Sequence, residues 1–141
     1  MSDKKFESSI EAEEFFYEAL QKGNLEEIMS TWADDETVVC IHPMGSALEG
    51  RAAVRDGWQA ICESDQTLTF NVVSVRYEES EQLAVHVVRE EITMAGEPPK
   101  EALMLATNVY RNTEDGWRMV LHHSSPGASG ESVSSGPVVL H

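Results

Sequence analysis

The sequence predicts an α+β domain in which N-terminal helices pack on one face of a curved, antiparallel, four-stranded sheet. Three observations lead to this class. Apolar side chains recur at spacings of three and four between residues 12 and 62, which is the period of an amphipathic helix. Four long runs between residues 68 and 123 alternate apolar and polar side chains, which is the period of a strand. Polar or proline-containing turns separate these runs, as in a meander of antiparallel strands.

Three helices are predicted in the first part of the chain. Ser8 and Glu11 fit a capping box that begins the first helix, and Gly23 fits the residue that ends it. Asn24 can cap a second helix, and Gly50 opens a third. The apolar stripes of the three helices consist of Ala12, Phe15, Phe16, Ala19 and Leu20, of Leu25, Ile28, Met29 and Trp32, and of Val54, Trp58, Ile61 and Cys62. Each stripe predicts one buried helix face.

The strands follow from β-branched content and alternation. Residues 37–41, with the sequence TVVCI, predict one short extra strand. The four long strands are predicted at residues 68–77, 83–94, 103–109 and 117–123. Two prolines in the segment AGEPPKE mark a connection, since proline cannot donate to a central ladder. Helices packed on such a curved sheet leave a conical space at one end, and ligands favour pockets of that kind.

Charge and composition exclude several classes of function. Twenty-five Asp and Glu against ten Lys and Arg give a net charge of −15, which disfavours binding to nucleic acid or to an anionic membrane surface. No apolar run is long enough to cross a membrane, and the N-terminus lacks the apolar segment of a signal peptide. Cys40 and Cys62 are too few for a disulfide scaffold and are expected to be reduced, inert thiols. We therefore expect a cytoplasmic protein.

A single domain is expected over residues 1–126, because 141 residues suffice to bury a large apolar core. Residues 127–141 form a separate C-terminal tail, rich in Gly and Ser, that ends in a short apolar patch. This composition is typical of a flexible linker. The tail is either frayed or docks on the domain or on a partner.

Two segments carry a resemblance to a known superfamily. The first is GNLEEIMSTWADDETVVCIHPMGSALEGRAAVRDGW, which joins Gly-Asn, an aromatic residue before Ala-Asp-Asp, a strand, a proline and a Gly-Arg-Ala-Ala helix start. The second is ATNVYRNTEDGWRMVLHHSSP, which closes the predicted sheet. Over residues 9–126 the chain resembles the nuclear transport factor 2-like superfamily, which includes ketosteroid isomerase, scytalone dehydratase and SnoaL-type polyketide cyclases. The resemblance implies a cystatin-like cone with a small-molecule pocket, in a fold that hosts both enzymes and non-catalytic binding or association domains.

The resemblance also places residues at the catalytic positions of ketosteroid isomerase. His42, directly before Pro43, stands where the isomerase has its general-base aspartate. Asn108 stands at the position of the oxyanion-hole aspartate, and Phe16, with Tyr17 beside it, at that of the oxyanion-hole tyrosine. The chain differs from the isomerase at all three positions, so the resemblance does not imply ketosteroid isomerase activity itself.

His42 and Asn108 nevertheless form a coherent pair of candidate catalytic residues. Histidine is a good base near neutral pH, and the two amide N–H groups of asparagine can stabilise an enolate. Facing one apolar pocket, they could abstract a proton next to the carbonyl group of a small ligand, as a cofactor-free isomerase, cyclase or lyase does. Alternatively, both side chains are structural hydrogen-bonding groups, and the protein is a non-catalytic ligand-binding or association module.

Further side chains are candidates for the lining of the pocket. The predicted ligand-binding residues are Phe16, Tyr17, Trp32, Trp58, His122 and His123. His122 and His123 are adjacent on a strand, so only one of them can face the pocket. His86 is predicted to be a structural residue of the sheet, and residues 89–91 a charged run on a solvated or dimer face. No metal-site, P-loop or dinucleotide motif is present, so neither a metal nor a cofactor is expected.

Alternation in the long strands predicts a homodimer through the sheet. It assigns inward the side chains of Leu103, Leu105, Thr107 and Val109, and of Trp117, Met119, Leu121 and His123. It leaves on the opposite face the side chains of Val73, Val88, Ala106 and Val120. An exposed apolar face of that size is unfavourable in a monomer, and the proteins that the chain resembles bury it in a two-fold dimer.

Overall fold

The computed structural model describes residues 4–64 and 66–128 of the chain. Within these residues the elements are α1 (Ser9–Lys22), α2 (Leu25–Ser30), β1 (Val39–Ile41), β2 (Ala47–Glu49), α3 (Arg51–Cys62), β3 (Leu68–Glu79), β4 (Leu83–Met94), β5 (Lys100–Thr113) and β6 (Gly116–Pro126). All of the predicted helices and strands are found. Most of the predicted tail, residues 129–141, lies outside the described residues, so the domain boundary remains a prediction.

The predicted signals at the ends of α1 and α2 are confirmed. The hydroxyl of Ser8 accepts the backbone N–H of Glu11 at 3.0 Å, which satisfies a free donor in the first turn of α1. Gly23 ends α1 in the left-handed conformation, with φ of 64°, which glycine adopts without steric cost. Asn24 caps α2 in the same manner, because its side-chain oxygen accepts the N–H of Glu27 at 3.0 Å.

Six strands form one sheet in the order β2-β1-β6-β5-β4-β3. The four long strands β3 to β6 are antiparallel neighbours, as predicted, whereas β1 pairs in parallel with β6 and antiparallel with β2. Strand β2 was not predicted, because three residues are too few to show alternation. Strand β1 begins at Val39 rather than Thr37, because the side chain of Asp35 accepts both the N–H and the hydroxyl of Thr37 and holds it in a turn.

The helices cover one face of the sheet, which we call the inner face. Val88 and Ala106 are buried on this face, with 0% and 2% of their surface exposed, so their predicted place on the free face is wrong. Leu105, predicted to face inward, is 38% exposed on the opposite, outer face. On β4, β5 and the end of β6 the alternation was assigned to the wrong side, because apolar side chains of the outer face resemble a core pattern. Trp117 and Met119, at the start of β6, are buried as predicted.

Two irregularities change the side-chain alternation within strands. The register shifts between Ser74 and Arg76, and again between Val109 and Tyr110 opposite β6. The second shift leaves Val120 unpaired, and its side chain packs partly against the core rather than on the free face as predicted. Bulges of this kind bend a strand and increase its twist, in agreement with a curved, open sheet. None of the described helices is long and apolar enough to cross a membrane.

Candidate functional site

The inner face carries a row of buried polar side chains beneath α1. Register places His86, Asn108 and His122 side by side on β4, β5 and β6. Glu90 and Ser124 lie on the same face, and each of these five residues is at most 3% exposed. Buried polar groups are unfavourable unless they are hydrogen-bonded, so the partners of each group decide what the row can do. We call Tyr17, Glu90, Asn108, His122 and Ser124 the inner cluster.

Asn108 is the centre of the inner cluster. Its Nδ2 donates to the phenol oxygen of Tyr17 at 3.0 Å and to Oε2 of Glu13 at 3.2 Å. Its Oδ1 lies 2.6 Å from Nδ1 of His122, and because an amide oxygen can only accept, Nδ1 carries the proton. Burial, with smaller contributions from His42 and His123, lowers the pKa of His122 to about 3, so this ring is neutral. The polar atoms of Asn108 are therefore occupied by protein partners.

Glu90 is a buried carboxyl group beside the same tyrosine. Tyr17 donates to its Oε2 at 2.6 Å, and Ser124 donates to its Oε1 at 3.2 Å. Burial raises the pKa of Glu90, and the two hydroxyl donors oppose that shift only in part. Nε2 of His122 lies 4.0 Å from Oε2 of Glu90, and this ring is neutral, so it provides no counter-charge. The sequence interpretation of residue 90 as part of a solvated or dimer-face run is wrong, because its side chain points inward.

A second polar group lies next to the inner cluster. Oε2 of Glu13 accepts from the hydroxyl of Tyr110 at 3.1 Å and lies 3.0 Å from Nδ1 of His86. Nε2 of His86 lies 2.9 Å from Oγ of Ser9. The order Ser9, His86, Glu13 has the spacing of a hydrolase triad. However, Ser9 is fully buried at the first residue of α1, where no acyl group can reach it, so we interpret these bonds as a fixation of α1 on the sheet.

An aromatic wall adjoins the inner cluster, formed by Phe16, His42, Trp58 and His122. The ring centroid of Trp58 lies 5.5 Å from those of Phe16 and His122 and 4.7 Å from that of His42. Its side chain is buried on α3, and its indole Nε1 has no hydrogen-bond partner. The wall joins the end of β1 to the inner cluster through ring contacts.

His42 follows β1 directly and is half-buried. Its Nε2 lies 3.5 Å from Sγ of Cys40, and burial lowers the pKa of the ring, which keeps it neutral near neutral pH. Gly57 on α3 permits this packing, because a Cβ there would stand 3.1 Å from Nε2 of His42 and 2.6 Å from Cδ1 of Leu48. The backbone of α3 therefore approaches the imidazole closely.

The structure brings together most of the predicted site residues. Phe16, Tyr17, Trp58, Asn108 and His122 lie in one connected set of contacts, which His42 joins through Trp58. The direct meeting of His42 and Asn108 in one cavity stays a prediction, since the contacts between them run through Trp58 and His122.

Two predicted residues lie elsewhere. His123 is exposed on the outer face, so His122 is the member of the pair that faces inward. Trp32 lines a separate groove of about 500 Å³ together with Arg51 and Arg118. It packs in the core with 1% of its surface exposed.

Sequence reasoning missed Glu13, Glu90 and Ser124. Two of them had a signal in the alternation of the strands: Glu90 stands four residues after His86, and Ser124 stands two residues after His122, so each shares the face of that histidine. Among residues 4–64 and 66–128, no group of three or more His, Cys, Asp or Glu side chains is placed to hold a metal ion.

Comparisons with known proteins agree with this architecture. The family model of the SnoaL-like domain matches residues 11–129. A solved structure from Thiobacillus denitrificans, named for the association domain of calcium/calmodulin-dependent protein kinase type II, is 38% identical with a TM-score of 0.83, covering 89% of this chain and 99% of that one. A structure from Streptomyces avermitilis, named as a dehydratase of the NTF2-like family, is 29% identical with a TM-score of 0.76, covering 84% and 93%.

A curated relative and solved structures of a known fold class also match this chain. The F-box protein SKIP8 of Arabidopsis thaliana is 28% identical over 110 residues, which are 78% of this chain. The chain spans about half of that relative's length, 46%. Solved structures with a cystatin-like fold also match, which confirms the predicted fold class. The chain therefore belongs to the SnoaL-like domain family of the NTF2-like superfamily.

Proposed function

We propose that this protein binds a small carbonyl-containing molecule between its helices and the inner face of the sheet, and moves a proton on that molecule. The observation that carries the proposal is Glu90. This carboxyl group is 3% exposed, has no cationic partner among the described residues, and has a raised pKa. Such a group destabilises the fold when it ionises, and it has the properties of a general acid or base.

In this proposal Glu90 takes the proton from the carbon next to the ligand's carbonyl group. The C–H bond breaks, the proton moves to the carboxylate, and the electron pair delocalises onto the carbonyl oxygen as an enolate. In a conjugated ligand, return of the proton to the γ-carbon of the dienolate gives an isomerase. Loss of a β-hydroxyl group as water with that proton gives a lyase. Attack of the enolate on a second carbonyl, whose oxygen then takes the proton from Glu90, gives a cyclase. The dehydratase name of the Streptomyces protein supports this class of chemistry.

The other residues of the site hold and select the reacting groups. Tyr17 and Ser124 orient the carboxylate by donating to both of its oxygens. Asn108 is a positioning residue in this proposal, because its amide already binds Tyr17, Glu13 and His122. His42 is a second candidate for the base, since its half-buried ring is neutral near neutral pH.

Proton exchange tests the proposal directly. Acetophenone and related ketones are incubated with the protein in D₂O, and the loss of the α-proton signal is followed by NMR. We expect Glu90→Gln to slow the exchange by about 10²-fold or more, which is the usual contribution of a general base. Glu91→Gln is the matched control, because Glu91 lies on the outer face opposite Asn71. Equal exchange by wild type and Glu90→Gln contradicts the role of Glu90, and a loss of exchange confined to His42→Ala assigns the base to His42.

A non-catalytic association module is the second candidate function. The Thiobacillus protein with the association-domain name is the more similar of the two solved structures, at 38% identity. The outer face carries half-buried or exposed apolar side chains, namely Val73, Val85, Val87, Leu103, Leu105, Val109 and Leu121. An uncovered patch of this kind favours an interface, so we propose a homodimer through this face.

We also propose where the protein is located and which partners it does not bind. Cys40 and Cys62 are free thiols, which fits a reducing compartment, and we propose the cytoplasm. The net charge of −15 supports the proposal that neither nucleic acid nor a membrane surface is a partner. Localisation of a tagged full chain by microscopy tests the first of these proposals.

A further inference from the structure

We propose that the indole N–H of Trp58 is the hydrogen-bond donor that receives the ligand's carbonyl oxygen, an inference that rests on the proposed function. Trp58 is 3% exposed, and its Nε1 is buried with no hydrogen-bond partner. A buried donor without an acceptor is unfavourable, and native proteins contain few of them. The surrounding structure keeps this one next to the inner cluster, where a ligand would supply the missing acceptor.

The neighbours of Trp58 do not provide an acceptor. The ring of Phe16 has no polar atom, and Nδ1 of His122 carries the proton that it donates to Asn108. Nε2 of the neutral His122 ring can accept a hydrogen bond, but it forms none with the indole N–H. Nε2 of His42 lies beside Sγ of Cys40, at 3.5 Å. Each neighbour contacts the indole as a ring rather than through a hydrogen bond. The N–H of Trp58 therefore has no acceptor among the described residues, and in this proposal the ligand supplies it.

In the inner cluster, by contrast, the polar atoms of Asn108 and Glu90 have hydrogen-bond partners within the protein. Asn108 uses both its amide nitrogen and its oxygen, and the two oxygens of Glu90 each accept a hydroxyl. The indole of Trp58 packs at 5.5 Å from the His122 ring, and His122 lies 4.0 Å from Glu90. The His122 ring therefore connects the unpaired donor on α3 with the carboxyl group on β4, and in this proposal one small molecule contacts both.

Charge and shape define the class of ligand. Ionised Glu90 and the net charge of −15 disfavour a carboxylate or phosphate at this place. A neutral ketone, aldehyde or ester offers an acceptor oxygen without a negative charge. The rings of Phe16, His42 and Trp58 favour a flat or cyclic body next to that carbonyl group.

The test uses a ketone, its hydrocarbon isostere and two tryptophan variants. The probes are acetophenone and α-methylstyrene, in which a methylene group replaces the carbonyl oxygen. Trp58→Phe removes the N–H and retains an aromatic ring. Trp32→Phe is the matched control, because Nε1 of Trp32 is also buried without a partner but lies beside the separate groove. Indole N–H signals of the three tryptophans are followed by ¹H–¹⁵N NMR during titration and assigned with the variants.

We expect acetophenone to move the Trp58 indole proton downfield in the wild type, and α-methylstyrene to leave it nearly unchanged. Trp58→Phe should weaken the binding of acetophenone about tenfold and spare that of α-methylstyrene, while Trp32→Phe changes neither. Unchanged acetophenone affinity in Trp58→Phe overturns the inference and leaves the proposed function standing. Absence of any ketone binding to the wild type at millimolar concentration overturns both.

Discussion

On β4 and β5, the face beneath the helices carries Glu90 and Asn108, whereas the face without cover carries Val87 and Leu105. In most sheets of this type the covered face is apolar and the free face polar. Here the covered face holds a hydrogen-bonded polar cluster, and the free face holds valine and leucine. The difference supports the two proposals made above, a ligand at the inner face and a second subunit at the outer face.

The largest expected effect lies at the centre of the inner face. Asn108→Ala leaves the N–H of His122 and one acceptor position of Glu13 without a partner in a buried site. We expect a loss of about 3 kcal/mol in the free energy of unfolding, measured by urea denaturation. Asn112→Ala, on the same strand but exposed, is the control and should cost less than about 0.5 kcal/mol. Equal losses in the two variants would show that the inner cluster contributes no special stability.

The oligomeric state tests the proposed role of the outer face as a dimer interface. We expect the wild type to sediment as a dimer at micromolar concentration, and Leu105→Lys to weaken the dimer at least tenfold, or about 1.4 kcal/mol. Ile10→Lys is the matched control, since Ile10 is a similarly exposed apolar residue on α1, 47% against 38%. A wild-type mass of 15.6 kDa by sedimentation equilibrium contradicts the dimer.

The pH dependence of stability has a defined sign at Glu90. Its pKa is raised in the folded state, mainly by burial, so its contribution to stability is complete below the ordinary glutamate pKa of 4.5 and is lost as the pH rises through the folded value. Glu90→Gln should therefore remove part of the decline in stability above pH 4.5. Thermal unfolding of both proteins between pH 4 and 9 measures this, and parallel curves contradict it.

At Asp35, which lies outside the inner face, the pH dependence of stability has the opposite sign. Hydrogen bonds from Thr37, and then the guanidinium of Arg111, lower the pKa of Asp35 to about 2. This contribution is present above the ordinary value of 3.8 and is lost as the pH falls toward 2. Asp35→Asn should consequently have its effect at neutral pH and little effect at pH 2, and the effect is small because 40% of the Asp35 side chain is exposed to solvent, which screens its charge.

The smallest effect concerns the two thiols. Burial raises the pKa of Cys40 to about 12, so roughly one thiol in ten thousand is ionised at pH 8. Cys62 is only half-buried, and burial raises its pKa as well. We expect slow labelling of Cys62 by a thiol reagent and none of Cys40 until denaturant is added. Rapid labelling of Cys40 in the native protein is incompatible with its place beneath the helices.

The fold could be predicted from the sequence more completely than the candidate site. Capping residues such as Ser8 and Gly23 act locally, so their helices were predictable from the sequence. Which side of a strand faces the helices depends on tertiary packing. The valines of the outer face alternate as core residues do, so the sequence pattern did not reveal the correct side. Glu90 was misjudged for the same reason, since a carboxyl group among charged neighbours looks solvated until its partners Tyr17 and Ser124 are known.

Parallel pairing of β1 with β6 has a consequence for the order of folding. Cys40 on β1 pairs with His122 on β6, so a strand that is synthesised early can form its parallel ladder only after β6 has been synthesised. Until β6 emerges, Glu90 lacks Ser124 and Asn108 lacks His122, and the inner face stays open to water. Contacts between such distant parts of a chain slow folding and prolong the exposure of apolar strands. We therefore expect a late, cooperative closure of the domain, with the site assembled in the final step.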